Sequence, residues 1–245
     1  MFFKKRNTNS NRADYSVLHA DMHSHLLPGI DDGSPDMETS LELIKGMKDL
    51  GYKKLITTPH IMWDIYKNTR AIVTEKLNEV KKKLKEEQVD IEIEAAAEYF
   101  IDEHLSELLE KKEPLLSFGN NLVLVEFSMV SQPFEWKKIL FEMQIQGYQP
   151  VIAHAERYSY LERNKSFYDE LKNAGYFLQL NILSLSGIYG NPVTDLARYL
   201  IKKGYYDLVG SDLHHSRHLD ALRNPSVFSS LHALLDSGKL LNSTL

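Results

Sequence analysis

The chain has 245 residues, 43% of them apolar and 26% charged, the composition of a soluble globular protein. That length supports a full core without covalent staples. The absence of cysteine excludes disulfides, thiolate–zinc sites and catalysis by a cysteine nucleophile. The net charge of −5 implies no general affinity for nucleic acid, so an anionic substrate needs a local positive site.

In chain order, residues 1–12 carry Lys4, Lys5 and Arg6 and a polar Asn/Ser stretch, without the apolar centre of a signal peptide. No run approaches the roughly 20 apolar residues that span a bilayer. A flexible tail over 1–15, a single domain over 16–245 and a cytoplasmic protein without membrane insertion are expected. A first strand is predicted over 17–23. A helix follows over 35–50, with Ser34 as its N-cap, Pro35 in the first turn and Gly51 just past its end. Further strands are expected over 54–58, 90–97, 121–127, 150–153, 177–181 and 207–211. Helices are expected over 70–87, 102–112, 135–146, 166–174, 192–203 and 227–236. Seven short apolar strands with helices between them predict a parallel sheet, closed or nearly closed into a barrel; an open doubly wound sheet is the alternative.

Metal-type side chains stand at or just after almost every predicted strand end. The first is followed by D-M-H-S-H, with His23 and His25, and then by Asp31 and Asp32. T-T-P-H supplies His60, A-A-E-Y Glu98 and L-V-E-F Glu126. I-A-H-A-E-R supplies His154 and Arg157, and G-S-D-L-H-H supplies Asp212, His214 and His215. Parallel barrels build their sites at the C-terminal ends of the strands. Residues i and i+2 of a strand share a side, so His23 and His25 can face one ion, and Asp212 and His214 repeat the spacing. Imidazole and carboxylate without thiolate suit manganese, iron or zinc. The number of candidates exceeds what one catalytic ion takes, which points to two or three ions. Singly, each has a plainer reading: His60 and His154 as core histidines, Glu98 as an exposed carboxylate, Asp212 as a helix N-cap. Glu126 is harder to explain so, because it follows a buried V-L-V and an unpaired buried carboxylate is costly.

The blocks D-M-H-S-H-L-L-P-G-I-D-D-G-S, T-T-P-H, A-A-E-Y, L-V-E-F-S, I-A-H-A-E-R-Y and G-S-D-L-H-H, in this order, resemble the polymerase-and-histidinol-phosphatase (PHP) superfamily. More closely they resemble its bacterial tyrosine phosphatases of capsular and exopolysaccharide clusters, the CpsB/YwqE type. The resemblance covers nearly the whole chain from His19. It implies a distorted seven-stranded parallel (β/α)7 barrel with a three-metal centre. By that resemblance one ion takes His23, His25, Glu98 and Asp212; a second shares Glu98 and adds Glu126 and His154; a third uses Asp32, His60 and His214. Asp32 is preferred to Asp31. Arg157 is expected to contact phosphate, and Arg217 is a second such candidate whose spacing from His214 is shorter than the family pattern.

The implied activity is hydrolysis of phosphotyrosine by metal-activated hydroxide, with manganese as the expected ion and iron or zinc as alternatives. The implied partner is the tyrosine-phosphorylated C-terminal tail of a membrane-bound kinase that controls polysaccharide export. The alternative is a PHP phosphoesterase acting on a small molecule such as histidinol phosphate, or on a nucleic-acid 3′ end. An amidohydrolase is a further rival, opposed by Glu126 where that family commonly has a modified lysine; a non-catalytic binding barrel is another. His215 and His218 are read as surface histidines with general-acid catalysis as the second reading. His19, His104 and His232 are read as structural or exposed, and Lys81, Lys82 and Lys83 as a solvated face. Tyr99, Phe127 and Tyr158 stand either as a ring-binding pocket or as core.

Overall fold

The computed structural model describes residues 12–245. Most of the expected tail, residues 1–11, lies outside the described residues. Ala13 and Tyr15 are already buried, Tyr15 stacking on Tyr52 at 5.4 Å, so the packed chain begins before residue 16.

Among the described residues the strands are β1 (Ala20–Asp21), β2 (Lys54–Thr57), β3 (His60–Ile61), β4 (Glu92–Ala95), β5 (Glu98–Phe100), β6 (Leu122–Glu126), β7 (Gln149–Ile152), β8 (Phe177–Asn181) and β9 (Leu208–Gly210). The crossover helices are α1 (Met37–Asp49), α2 (Arg70–Glu86), α3 (Glu103–Glu110), α4 (Trp136–Ile145), α5 (Ser166–Asn173) and α6 (Asn191–Lys203), and α7 (Ser216–Leu222), α8 (Pro225–Ser230) and α9 (His232–Leu235) follow β9. Helix α1 begins two residues later than expected. Its N-cap is Asp36, whose side chain accepts from Thr39 N at 2.8 Å, and not Ser34. The single helix predicted over 227–236 is two short ones, and α7 was not foreseen.

Every strand pairing is parallel. The strands form two sheets, one in the order β1-β2-β4 and one in the order β3-β5-β6-β7-β8-β9, instead of seven strands in a single sheet. The strands expected over 54–58 and 90–97 are found as β2 and β4, and each is followed after a short gap by a further strand, β3 and β5, beyond the expected end. Pro59 has no N–H for a ladder, and β2 stops just before it while β3 starts just after. Hydrogen bonds nevertheless bridge the gap: Ala96 N donates to Thr57 O at 2.9 Å and Glu98 N to Pro59 O at 3.1 Å. The far edges meet beyond β1 and β9, where Asp212 N donates to His23 O at 2.7 Å and His25 N to Leu213 O at 2.9 Å.

Alternation along the strands divides the core and aims the site. Leu55, Ala97, Val123, Val125, Ile152, Leu178, Leu180 and Val209 join the main cluster together with the helices. Ile56, Ala96, Leu122, Leu124, Val151, Ala153 and Leu208 face the other way and form a second cluster. Continuing that inner series by steps of two reaches His60 from Ile56, Glu98 from Ala96, Glu126 from Leu124, and Asp212 from Leu208 through Gly210. His60, Glu98, Glu126 and Asp212 are thus the last members of inward-facing rows, whereas His154 directly follows inward-facing Ala153 and His23 follows inward-facing Met22.

Candidate metal centre

All nine ligand candidates converge. Ligand atoms of His25, Asp32, His60 and His214 lie within 4.8 Å of one another, as do those of His23, His154 and Asp212, of His23, His25 and Glu98, and of His60, Glu98 and Glu126. The grouping cuts across the expected partition: His25 also falls with Asp32, His60 and His214, His154 with His23 and Asp212, and His60 as well as His154 approaches Glu98 and Glu126. His154 Nε2 is 3.1 Å from Glu98 and 3.4 Å from Glu126, while His60 Nδ1 is 3.2 Å from Glu98 and 3.7 Å from Glu126. Two of these residues, His154 (φ 28°) and Asp212 (φ 51°), take positive φ, a costly conformation for side chains other than glycine and one that concentrates at functional sites.

Several imidazoles are oriented from behind. Asp31 accepts from His25 Nδ1 at 2.9 Å, from Gly33 N at 3.0 Å and from His60 N at 3.1 Å. It is therefore committed to the framework, while the half-exposed Asp32 faces His60 Nε2 and His214 Nε2, each at 3.5 Å. The backbone oxygen of Asp212 accepts from His214 Nδ1 at 2.9 Å. In both His25 and His214 Nδ1 carries a proton to its acceptor, and Nε2 is the nitrogen that faces the centre.

The electrostatics show what the pocket lacks. Glu98 is fully buried, and neither carboxylate oxygen makes a hydrogen bond; Glu126 Oε2, His60 Nδ1 and His154 Nδ1 are likewise buried without one. Burial opposes ionisation of Glu98, but His23 and His60 outweigh it and hold its pKa well below the usual range. Burial equally opposes charge on His154, yet Glu126 and Glu98 raise it to about 10. A hydrogen bond from His214 holds Asp32 at about 2. Two buried carboxylates, Glu98 and Glu126, whose oxygens meet imidazole nitrogens make a cation site by their chemistry. The donor set of oxygen and nitrogen without sulfur fits manganese, iron or zinc.

The centre opens into a cleft of about 470 Å³, lined by ligand candidates together with Met62, Ile65, Tyr66, Met129, Arg157, Tyr189, His215 and His218. Arg157 Nη1 donates to Asp212 Oδ2 at 2.7 Å, and its guanidinium lies 4.5 Å from the Tyr189 ring centroid. Arg217 is exposed on α7 and is not among the cleft residues. His215 and His218, read from sequence as surface residues, do line the cleft. Burial lowers His218 to about 4. Its Nδ1 accepts from His214 N at 3.4 Å, which puts the proton of the neutral ring on Nε2. Tyr99, Phe127 and Tyr158 resolve to core, Tyr99 and Tyr158 holding backbone N–H groups of Leu116 and Phe127. The aromatic walls are instead Tyr66, stacked on His60 at 5.6 Å, and Tyr189. No sequence pattern marked either, since both sit in loops. His19 is exposed, His104 stacks on Trp63 at 3.7 Å, His232 packs edge-on to Phe228, and Lys81, Lys82 and Lys83 are exposed.

Comparison with known proteins agrees with this geometry. A family model described as capsular polysaccharide synthesis, CpsB/CapC, matches residues 19–235. The tyrosine-protein phosphatase YwqE of Bacillus subtilis is 30% identical over 194 residues, 79% of this chain and 76% of that protein. A chain from the crystal structures of YwqE from Bacillus subtilis and CpsB from Streptococcus pneumoniae, described as unique metal-dependent tyrosine phosphatases, superposes with a TM-score of 0.79. It is 29% identical, and the match covers 92% of this chain and 90% of that one. Histidinol phosphate phosphatase from Lactococcus lactis, solved with zinc, L-histidinol and phosphate, shares the fold alone, with a TM-score of 0.56 at 14% identity over 94% of each chain.

Proposed function

The chain belongs to the capsular polysaccharide synthesis CpsB/CapC family, and from that premise we propose that it is a metal-dependent protein-tyrosine phosphatase. The observation that carries the reading is the convergence of nine histidine, aspartate and glutamate side chains on a cleft, with both oxygens of buried Glu98 lacking any hydrogen bond. Two or three manganese ions would be held by His23, His25, Asp32, His60, Glu98, Glu126, His154, Asp212 and His214, with iron or zinc as substitutes. Glu98 would be the carboxylate shared between ions, because its two oxygens meet imidazoles from three different strand ends: His23 and His25 after β1, His60 in β3 and His154 after β7. Such ions supply Lewis acidity and a nucleophile drawn from water at neutral pH. The same reading takes the nine strands as seven staves of one distorted barrel, β2 running into β3 and β4 into β5.

The protein's own side chains do the rest. Arg157 keeps further N–H donors beyond the one given to Asp212, and these face the cleft to receive phosphoryl oxygens. Tyr66, Met62, Met129 and Tyr189 provide an apolar and aromatic wall for a phenyl ring. His218, neutral at pH 7, offers an Nε2–H to the departing phenolate oxygen. The cleft is open at the strand ends, which suits an extended and flexible segment. We take the substrate to be the phosphorylated C-terminal tail of a kinase that controls polysaccharide export, and the setting to be the cytoplasm. Among the described residues no helix is long and apolar enough to cross a membrane.

The test is phosphate release from a phosphotyrosine peptide, a phosphoserine peptide and histidinol phosphate, after chelation and again with manganese restored. Manganese-dependent release from phosphotyrosine is expected. Release from histidinol phosphate alone would move the protein to the small-molecule alternative.

A further inference from the structure

With β2 and β3 taken as one stave and β4 and β5 as another, β8 is the stave among the described residues that supplies no ligand candidate. Its inward row is Phe177, Gln179 and Asn181, while Leu178 and Leu180 point into the main core. Gln179 and Asn181 are both fully buried, an expensive placement for two amides unless each is used.

The orientation of both amides is set by groups that can act in one way only. His154 N is a backbone donor 2.8 Å from Gln179, so the atom facing it is the amide oxygen. That same oxygen lies 3.0 Å from His23 Nδ1. An oxygen accepts, so His23 Nδ1 carries a proton, and Nε2 is the nitrogen turned toward Glu98 and Asp212, 3.3 Å from each. One amide oxygen therefore holds the ring of one ligand candidate and the backbone of another. Asn181 follows the same logic. Leu183 N donates to its oxygen at 2.9 Å, which aims the amide nitrogen at Asp212 Oδ2, 2.8 Å away. Arg157 donates to that oxygen as well, leaving Asp212 Oδ1 to face His23, His25 and His214. The packing leaves no slack: a methyl group at Gly210 would stand 2.6 Å from His23 Cβ and 2.9 Å from Gln179 Nε2.

We propose that β8 is the positioning strand of the metal centre, with Gln179 fixing the His23 tautomer and tying it to His154, and Asn181 fixing which oxygen of Asp212 faces the ions. The inference rests on the metal-dependent reading above, and its readouts are independent of catalysis. Outer partners of this kind change metal affinity by about 10–100-fold when removed.

The experiment is manganese titration of the metal-free full chain by calorimetry, for the parent and for Gln179→Met, Gln179→Glu and Asn181→Ala. It is paired with the 15N-histidine spectrum of each in the zinc-loaded form. Gln179→Met is expected to weaken manganese by about 10–100-fold. Gln179→Glu keeps an acceptor at the same place and should recover part of that loss. The parent spectrum is expected to show His23 protonated on Nδ1 and bound through Nε2. Because that measurement needs no variant, it decides the matter even where a variant fails to fold. Binding of His23 through Nδ1, or unchanged affinity in Gln179→Met, would overturn the inference while leaving the metal centre intact. A parent chain that takes up neither manganese nor zinc would overturn the functional reading itself.

Discussion

Arg157 does two jobs with one guanidinium. It neutralises Asp212 at 2.7 Å, and it stacks over Tyr189 while facing the cleft. A planar, forked donor does this better than a point charge. Arg157→Ala is expected to lower kcat/KM on a phosphotyrosine peptide by about 10–100-fold, the size of one or two charge-assisted hydrogen bonds. Arg157→Lys should recover only part of it, since the ammonium cannot fork. Arg217 is the contrast. It is exposed and outside the cleft, so Arg217→Ala should stay within about fivefold of the parent, as for a screened surface charge. Steady-state kinetics on the three variants separates these outcomes. At this same scale, the choice between Asp31 and Asp32 turns on hydrogen bonds. Asp31 is occupied by His25, Gly33 and the backbone of His60, and Asp32 is the one left facing imidazole nitrogens.

Elements matter through how closely they approach. β9 passes so near the chain after β1 that Gly210 has room for no side chain, and the obstruction is His23 Cβ, which a rotamer change cannot move. Gly210→Ala is therefore expected to cost about 1–3 kcal/mol of stability by overpacking. It should also weaken metal binding, read as manganese content after gel filtration; full metal content would show that the strands can part without disturbing His23. A similar contact lets α1 cross α7, where a methyl at Gly46 would overlap Leu219. Helix α7 was invisible in the sequence because S-R-H-L-D-A-L spans only two turns and buries just Leu219 and Leu222. The break between α8 and α9 is equally local, and length rather than periodicity decided it. The gap between β2 and β3 has a legible cause in Pro59, but β3 is only two residues long, too short for alternation to declare it.

For the whole molecule, ions that bind the folded centre and not the unfolded chain stabilise the fold. Chelation is expected to lower Tm by about 5–10 °C, given binding at about a hundredfold above Kd and a domain of this size. Restoring manganese should reverse the shift in a thermal melt; an unchanged Tm would mean the carboxylate cluster is balanced without cations. Buried tyrosines set the alkaline limit. Burial raises Tyr15, Tyr52, Tyr158, Tyr168 and Tyr206 above their ordinary value of 10.0. Their folded values exceed the unfolded one, so the stability they contribute is intact below pH 10 and is lost as pH rises beyond it, when only the unfolded chain can ionise them. Unfolding followed by circular dichroism from pH 8 to 12 should show a steep loss above about pH 10.

The sequence by itself determined the alternation of strand and helix, the nine ligand candidates and Arg157. It could do so because those residues stand at strand ends, where a parallel fold must gather them whatever its details. Strand β8 was placed to the residue, 177–181, yet its polar pair in F-L-Q-L-N passed unremarked. Amides carry no mark of metal chemistry until their partners are known. Only the tertiary structure decided that Gln179 meets both His23 and His154, that Asn181 shares Asp212 with Arg157, and that Tyr66 and Tyr189 wall the cleft. It also left Arg217 exposed outside the cleft, His215 exposed at the cleft's edge and His218 half-buried within it. These are contacts between segments up to 156 residues apart, as from His23 to Gln179, and no local pattern encodes where such segments meet.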